Sequence, residues 1–162
     1  MIALAAFVML LSAAMADPLD RYRWSARPLV VFTPAWDDAR FGALNAGLDE
    51  DGFAERDMLR VVVSPRSEPP DEAITHARLR ANAGGTGEGP GSGTALRARF
   101  GVAPDAFAII LVGLDGGEKA RWTAPPAPGE IFAVIDAMPM RLREMREGMR
   151  EEMRGEMRER GE

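Results

Sequence analysis

Cysteine is absent from this 162-residue chain, and histidine occurs once, at His76. A chain without cysteine has no disulfide, thiol nucleophile, iron–sulfur cluster or cysteine-based zinc site, and a single histidine cannot build a multi-histidine metal cage. Lysine is almost missing as well: Lys119 is the only one among 20 basic residues, and 25 acidic residues bring the net charge to −5. The clustered positive charge of a nucleic-acid-binding protein is therefore not expected. The composition predicts no cofactor and no nucleic-acid partner.

Only the N-terminus carries a long apolar run, Ile2–Leu11, which is followed by the small residues of Ser12–Ala16. This pattern is typical of a signal peptide, and it predicts cleavage after Ala16. Together with the small residues up to Ala16 the run reaches about 15 residues, which is shorter than the roughly 20 that span a bilayer, so no stable membrane anchor is expected after cleavage. We expect a periplasmic or secreted protein with three parts: a signal peptide at 1–16, a single domain at 17–140 and a helical tail at 141–162.

Short continuous apolar runs predict strands that are buried on both faces. The runs are Pro28–Thr33, Met58–Val63 and Ala106–Val112. A turn at Leu114–Gly117 then leads into Glu118–Thr123, which predicts a fourth strand forming an antiparallel hairpin with the third. The sequence thus indicates a mixed sheet of about four strands.

Three segments predict helices on the faces of this sheet. The first is Asp38–Leu48, with Asp37 as its N-cap. The second is a short helix capped by Thr94 and ended by Gly101, a residue that tolerates the left-handed backbone of a helix C-terminus. The third begins after Pro128 and places Ile131 and Ile135 on one face. The order strand, helix, strand, helix, strand, strand, helix matches a thioredoxin-like α/β fold, since crossover handedness allows few alternatives.

Two segments lie outside this core. Residues 64–93 form an insertion with three early prolines, a weak helical stretch at Asp71–Ala81 and a glycine-rich end, which composition predicts to be flexible. Arg141–Glu162 consists almost entirely of Arg, Glu, Met and Gly, and we expect a solvated helix that extends the last core helix. Pro139 is expected to kink or restart that helix.

Several strings of this sequence resemble a bacterial family known as DUF 4174, also called the DUDES-type domain. They are Tyr22–Phe32, Glu55–Asp57, Leu96–Val102, Leu111–Lys119 and Ile135–Arg141. The resemblance covers roughly residues 19–145 and implies an exported, thioredoxin-like domain. It implies no activity, because the family's biochemistry is unassigned, and neither the insertion nor the tail belongs to its pattern.

The loop after the first strand is where thioredoxins carry two cysteines that are activated by a helix N-terminus. Asp37 and Arg40 stand at those positions in this sequence. Dithiol exchange and cysteine-based peroxide reduction are excluded, because neither residue forms a covalent sulfur intermediate. A binding or accessory module is expected rather than an enzyme. A non-thiol enzyme site or polar binding site over Trp36–Arg40 is left open, against the simpler role of Asp37 as a helix cap.

Four further charged residues are candidates for holding an anionic ligand: Arg56, Asp57, Asp115 and Lys119. The alternative for each is a structural ion pair or a turn residue. We expect His76 to be a surface residue. The glycine-rich stretch satisfies no phosphate-binding motif, so a flexible linker is expected there.

Methionines repeat every four residues in the tail, at Met145, Met149, Met153 and Met157. On a helix, neighbours at this spacing lie within reach of each other, and their thioethers are soft ligands suited to Cu(I). Arginine repeats with the same period, and its charge would repel a cation. The tail is therefore open to three interpretations: a weak metal site, a helix that binds a protein partner, or a solvated extension.

Overall fold

In this computed structural model, residues 17–64, 73–77 and 92–160 are described. They form an α/β fold with one mixed sheet of five strands. The strands are β1 (Arg27–Phe32), β2 (Met58–Ser64), β3 (Ala73–Ala77), β4 (Ala108–Val112) and β5 (Glu118–Trp122). The helices are α1 (Ala39–Ala46), α2 (Glu50–Glu55), α3 (Ser92–Phe100), α4 (Pro128–Asp136) and α5 (Pro139–Glu159).

The sheet has the order β3-β2-β1-β4-β5. Strands β1 and β2 run parallel, whereas β4 is antiparallel to β1 and β5 is antiparallel to β4. Every residue of β1 and β4 is buried, as expected for central strands covered on both faces. The four predicted strands are confirmed, with boundaries that differ by one or two residues.

Alternate residues of the central strands point to two cores, one on each face of the sheet. Val30 and Phe32 pack on the face covered by α3, where Phe32 meets Phe100 edge to face at 6.1 Å between ring centroids. Leu29 and Val31 pack on the other face with Ile131 and Ile135 of α4. The predicted apolar face of α4 is therefore the face that it buries.

Strand β3 corrects the prediction of a weak helix at Asp71–Ala81. Residues 73–77 pair antiparallel with β2, with Ala73 opposite Ser64 and His76 opposite Val61. The edge of β2 offers unpaired backbone groups, and Ile74 and Thr75 are β-branched, so tertiary pairing outweighs the local helical pattern. The rest of the predicted flexible insertion lies outside the described residues, as does the predicted signal peptide.

The helix ends also differ from the prediction in two places. Asp38, not Asp37, caps α1, since its side chain accepts a hydrogen bond from the Arg40 backbone N–H at 2.8 Å. Helix α3 begins at Ser92, so Thr94 lies inside it rather than capping it. Gly101 ends that helix with a φ of +61°, as predicted.

Pro139 restarts the chain as a new helix, as predicted. Helix α4 ends at Asp136, and α5 begins with Pro139 in its first turn. Arg141 at the start of α5 is buried against the body, which differs from the expected solvation of the whole segment, whereas residues 146–158 are exposed.

Candidate functional site

The six candidate site residues fall at opposite ends of the sheet. Asp37 and Arg40 follow β1 at its carboxyl end. Arg56, Asp57, Asp115 and Lys119 lie at its amino end, because Arg27 is opposite Met58 and the β4–β5 turn follows Val112. A six-residue strand is about 20 Å long. The structure therefore does not bring the six into one site.

At the carboxyl end of β1, the charged pair is Asp38 and Arg40. The Arg40 guanidinium donates to both Asp38 carboxylate oxygens, at 3.0 and 2.7 Å, and lies 4.6 Å above the ring centre of Phe107. Asp37, the predicted member of this pair, is exposed. Asp38, rather than the predicted Asp37, therefore both caps α1 and pairs with Arg40.

Arg40 also sets the protonation of this loop. Its hydrogen bonds to the Asp38 side chain hold the pKa of that carboxyl down at about 2. Asp38 is therefore a carboxylate at neutral pH. A group with this pKa is unsuited to general acid–base work, which needs a pKa near the working pH.

Trp36 is the most exposed apolar group of the same loop. Its indole is 45% exposed and packs edge to face on Phe41, with 5.8 Å between ring centroids. Thr33 anchors the start of the loop, because its hydroxyl donates to the Ala35 carbonyl at 2.7 Å. This end of the sheet carries an exposed aromatic ring beside the Asp38–Arg40 ion pair, whose two charges offset each other.

At the amino end of β1, Asp115 and Lys119 organise the β4–β5 turn. The Lys119 ammonium lies 2.6 Å from one Asp115 carboxylate oxygen, and the other oxygen accepts from the Gly117 N–H at 3.0 Å. Both contacts, with Lys119 the stronger, hold the pKa of Asp115 below its usual value. The pair predicted to bracket the turn is thus formed in the structure.

Arg56 is held in one orientation by Asp136. Two parallel hydrogen bonds of 2.9 and 2.7 Å join its guanidinium to both Asp136 carboxylate oxygens, and the guanidinium lies 4.5 Å above the ring centre of Phe132. This contact with Arg56 is the main cause of the lowered pKa of Asp136. Asp57 contributes through its backbone: its φ is +48°, and its carbonyl accepts from the Arg27 N–H at 2.8 Å.

Two further arginines surround this pair. Arg27 is 1% exposed; its guanidinium donates to the Arg56 carbonyl at 2.9 Å and to the Glu144 carboxylate at 2.7 Å. Arg141 donates to the Glu55 carboxylate at 2.8 Å. Three cations and three anions thus form one cluster, which we call the arginine cluster: Arg27, Arg56, Arg141, Glu55, Asp136 and Glu144.

Sequence reasoning named only Arg56 of this cluster as a candidate. Its partners come from segments far apart in the chain: 117 positions separate Arg27 from Glu144, and 80 separate Arg56 from Asp136. One signal was available, because most of these residues lie in the strings that carry the family resemblance. Those strings converge at one end of the sheet.

A groove of about 320 Å³ opens beside the arginine cluster. It lies between the β4–β5 turn and the junction of α4 with α5, and most of its wall is apolar. The lining residues are Arg27, Gly113, Leu114, Asp115, Lys119, Met138, Pro139 and Met140. Two of the six candidates, Asp115 and Lys119, therefore lie in the wall of a real concavity.

Arg27 is the unusual member of that lining. Its Nε is buried and forms no hydrogen bond with the described part of the chain. Buried polar groups nearly always have a partner, and each exception calls for an explanation. The Nε atoms of Arg60 and Arg141 are unpaired in the same way among the described residues, so Arg27 differs in that its buried guanidinium also lines an apolar groove, where a cation suits the binding of an anion.

The comparison with protein families covers the part of the chain that holds these strings. A family described as "Domain of unknown function (DUF4174)" matches residues 18–144. The chain belongs to this family. The matched region includes both ends of the sheet, the groove and the arginine cluster, and it ends at Glu144, so that most of α5 follows it. No curated protein matches the chain, and no solved structure does.

Within residues 17–64, 73–77 and 92–160, no three His, Asp or Glu side chains are placed to hold a metal ion. The tail methionines lie on α5, where Met149, Met153 and Met157 are 52–71% exposed, and Cu(I) binding by them stays a prediction. No described helix is both long and apolar enough to cross a membrane.

Proposed function

We propose that this family member is a binding module, and that its ligand occupies the groove between the β4–β5 turn and the α4–α5 junction. The observation that carries the proposal is the buried Arg27 guanidinium, with its unused Nε, in the wall of an apolar concavity. Lys119 adds a second cation at the same groove. The chemistry that fits is a small anion with an apolar body, such as a carboxylate on an aliphatic chain.

The charged groups support binding over acid–base catalysis. Asp38, Asp115 and Asp136 each have a lowered pKa because an arginine or lysine donates to the carboxylate. Groups in this state stay ionised at neutral pH, whereas a general acid needs a raised pKa. The absence of cysteine removes thiol chemistry from the chain.

Three probes, each with six carbons, test the groove: hexanoate, hexanol and hexylamine, added to the purified chain and followed by NMR chemical shifts. We expect hexanoate to bind more tightly than hexanol, and hexylamine not to bind, with shifts concentrated at the groove residues. Lys119→Met should weaken hexanoate binding about fivefold, which corresponds to ~1 kcal/mol for a partly exposed charge. Arg121→Met is the matched control, because Arg121 lies on the same strand but pairs with Glu118 outside the groove.

The outcomes separate clearly. An equal response to all three probes would mean that charge plays no part, and the proposal would be abandoned. The same conclusion follows if hexanoate produces no shifts, or if Lys119→Met and Arg121→Met change its affinity equally.

We also propose that the domain is exported and has a thioredoxin-like arrangement. The order β2-β1-β4-β5, with β1 and β2 parallel and the last two strands antiparallel, supports the arrangement expected from the sequence. Asp17, the first residue after the predicted cleavage site, supports the predicted boundary: its carboxylate accepts from the Leu19 N–H at 2.9 Å and pairs with Arg99. N-terminal sequencing of the protein from a periplasmic fraction should give Asp17 first, and a cytoplasmic protein that retains residues 1–16 would contradict export.

A further inference from the structure

One side of α5 carries an apolar stripe, most of which lies beyond the body and is exposed. Residues 146–158 are all exposed. Large apolar side chains follow one side of the helix through this segment and the turn before it. At 100° per residue these side chains fall within an arc of about 120°. We call them the methionine stripe: Leu142, Met145, Met149, Met153 and Met157.

The two flanks of the methionine stripe carry opposite charges. Arg146, Arg150 and Arg154 follow it on one side, at about 40° to 120° from its centre, whereas Glu152 and Glu156 lie on the other, at about −40° to −80°. The cationic flank is also unsatisfied, because Arg150 and Arg154 form no ion pair with any residue that the structure describes. Like charges four residues apart repel each other along a helix, so a partner of opposite charge would relieve this flank.

A second copy of the same helix meets this requirement in one orientation. A twofold axis parallel to the helix places the basic flank of each copy against the acidic flank of the other. A twofold axis perpendicular to the helix instead places arginine against arginine and glutamate against glutamate. The charge pattern is therefore self-complementary for a parallel pair and self-repelling for an antiparallel pair.

The body does not obstruct such a pair. Arg141 and Glu144, through which α5 docks on the sheet, lie about 100° and 160° away from the centre of the methionine stripe. The helix can thus present the stripe to a partner while both bodies lie on the outside.

We propose that the chain forms a homodimer through the methionine stripe of α5, with the two helices parallel. The exposed segment has equal numbers of Arg and Glu, which favours this partner over an anionic lipid surface, since surface-binding helices are rich in Lys and Arg. The segment lies after the family match, so dimerisation is a property of this chain's own extension and is independent of the groove.

The absence of cysteine allows a direct test of partner and orientation. Single substitutions Met145→Cys, Met149→Cys, Met153→Cys and Met157→Cys are introduced into the purified chain, and disulfide dimers are measured after mild oxidation. In a parallel pair Met149 and Met153, each about 20° from the centre of the stripe, face their own copies and should cross-link efficiently, whereas Met145 and Met157, each about 60° from it, should cross-link less. Glu151→Cys, on the opposite side of the helix, is the matched control and should cross-link several-fold less.

Sedimentation of the unmodified chain gives the second measurement. Dimers should weaken as salt is raised, because salt screens attraction between opposite flanks, whereas an antiparallel pair of like flanks would strengthen. Met149→Gln with Met153→Gln should shift the chain to monomer while its sheet remains folded. Monomer at every concentration and salt level, or cross-linking confined to one position of the stripe, overturns the proposal.

Discussion

Arg27 opens the first strand, yet its guanidinium is buried between the Arg56 carbonyl and the Glu144 carboxylate. Desolvating a charge is expensive, and a buried ion pair seldom repays much more than that cost. Removing one partner destabilises the folded state, typically by about 3–5 kcal/mol, because the other charge stays buried without a counter-ion. The arginine cluster is therefore better described as a determinant of how α5 seats on the sheet than as a large source of stability.

Asp136→Asn tests the cluster at the level of one carboxylate. Because Arg56 holds the Asp136 pKa below its usual 3.8, the carboxylate stabilises the folded chain above that pH, and this contribution is lost as pH falls through the lower folded-state pKa. We expect the variant to be less stable by about 1–2 kcal/mol at pH 7. The difference should narrow below about pH 4. Urea unfolding across this range measures it.

Asp105→Asn is the control for Asp136→Asn, since Asp105 is an exposed carboxylate outside the cluster. Its stability should match the parent chain at neutral pH. A stability difference for Asp136→Asn that persists unchanged in strong acid would contradict the assigned role of Arg56.

At the scale of elements, the ends of the helices are set by single residues whose backbone or side chain suits the end. Asp38 and Asp49 cap α1 and α2 by accepting backbone N–H bonds. Gly101 ends α3 in the left-handed region, where a side chain is strained even when space is open, as it is here. These helix ends place the connecting loops at the two ends of the sheet.

Gly101→Ala and Gly42→Ala should change stability in opposite directions. A Cβ at either position meets no atom within 4 Å, so the backbone conformation alone decides whether alanine raises or lowers the free energy of unfolding. Gly101 has φ +61°, and alanine there should cost about 1 kcal/mol. Gly42 lies inside α1, where alanine should stabilise by about 0.5–1 kcal/mol. Thermal unfolding distinguishes them, and a shared direction would contradict this explanation.

Elements with a strong local pattern could be predicted from the sequence, and those that depend on tertiary pairing could not. The runs of β1, β2 and β4 are apolar apart from Arg27, Arg60 and Ser64, and α4 repeats its buried residues at helical spacing. The sequence predicts a helix where β3 lies, because the two β-branched residues Ile74 and Thr75 are too short a signal to reveal the pairing with β2. The sequence does not predict helix α2, because its six residues hold too little periodicity.

At the scale of the whole molecule, only part of the candidate site could be predicted, and the reason is geometric. Asp115 and Lys119 are four residues apart in one turn, so the sequence displays their pairing. Arg27, Arg141 and Glu144 come from the first strand and the last helix, and only the folded topology brings them together. The topology also separates Asp37 and Arg40 from the other candidates, which no local pattern could reveal.

Two truncations should separate the docked and free parts of α5. A chain ending at Arg146 keeps Arg141 and Glu144 and should retain the melting temperature of the body, because everything removed is exposed or outside the described residues. A chain ending at Met138 loses both residues, leaves Arg27 without its carboxylate, and should be destabilised by several kcal/mol. Circular dichroism melts test this. Equal losses in the two truncations would mean that the distal helix also supports the body.

The pairing of Arg27 with Glu144 also has a consequence for the order of events during synthesis. The two residues are 117 positions apart, so at 5–20 residues per second Glu144 is made roughly 6–23 s after Arg27. During that interval the nascent chain can pair β1 with β2, but the charge at the start of β1 has no counter-ion. Docking of α5 on the sheet therefore waits until Glu144 has been made, long after the β1 residues that it pairs with are complete.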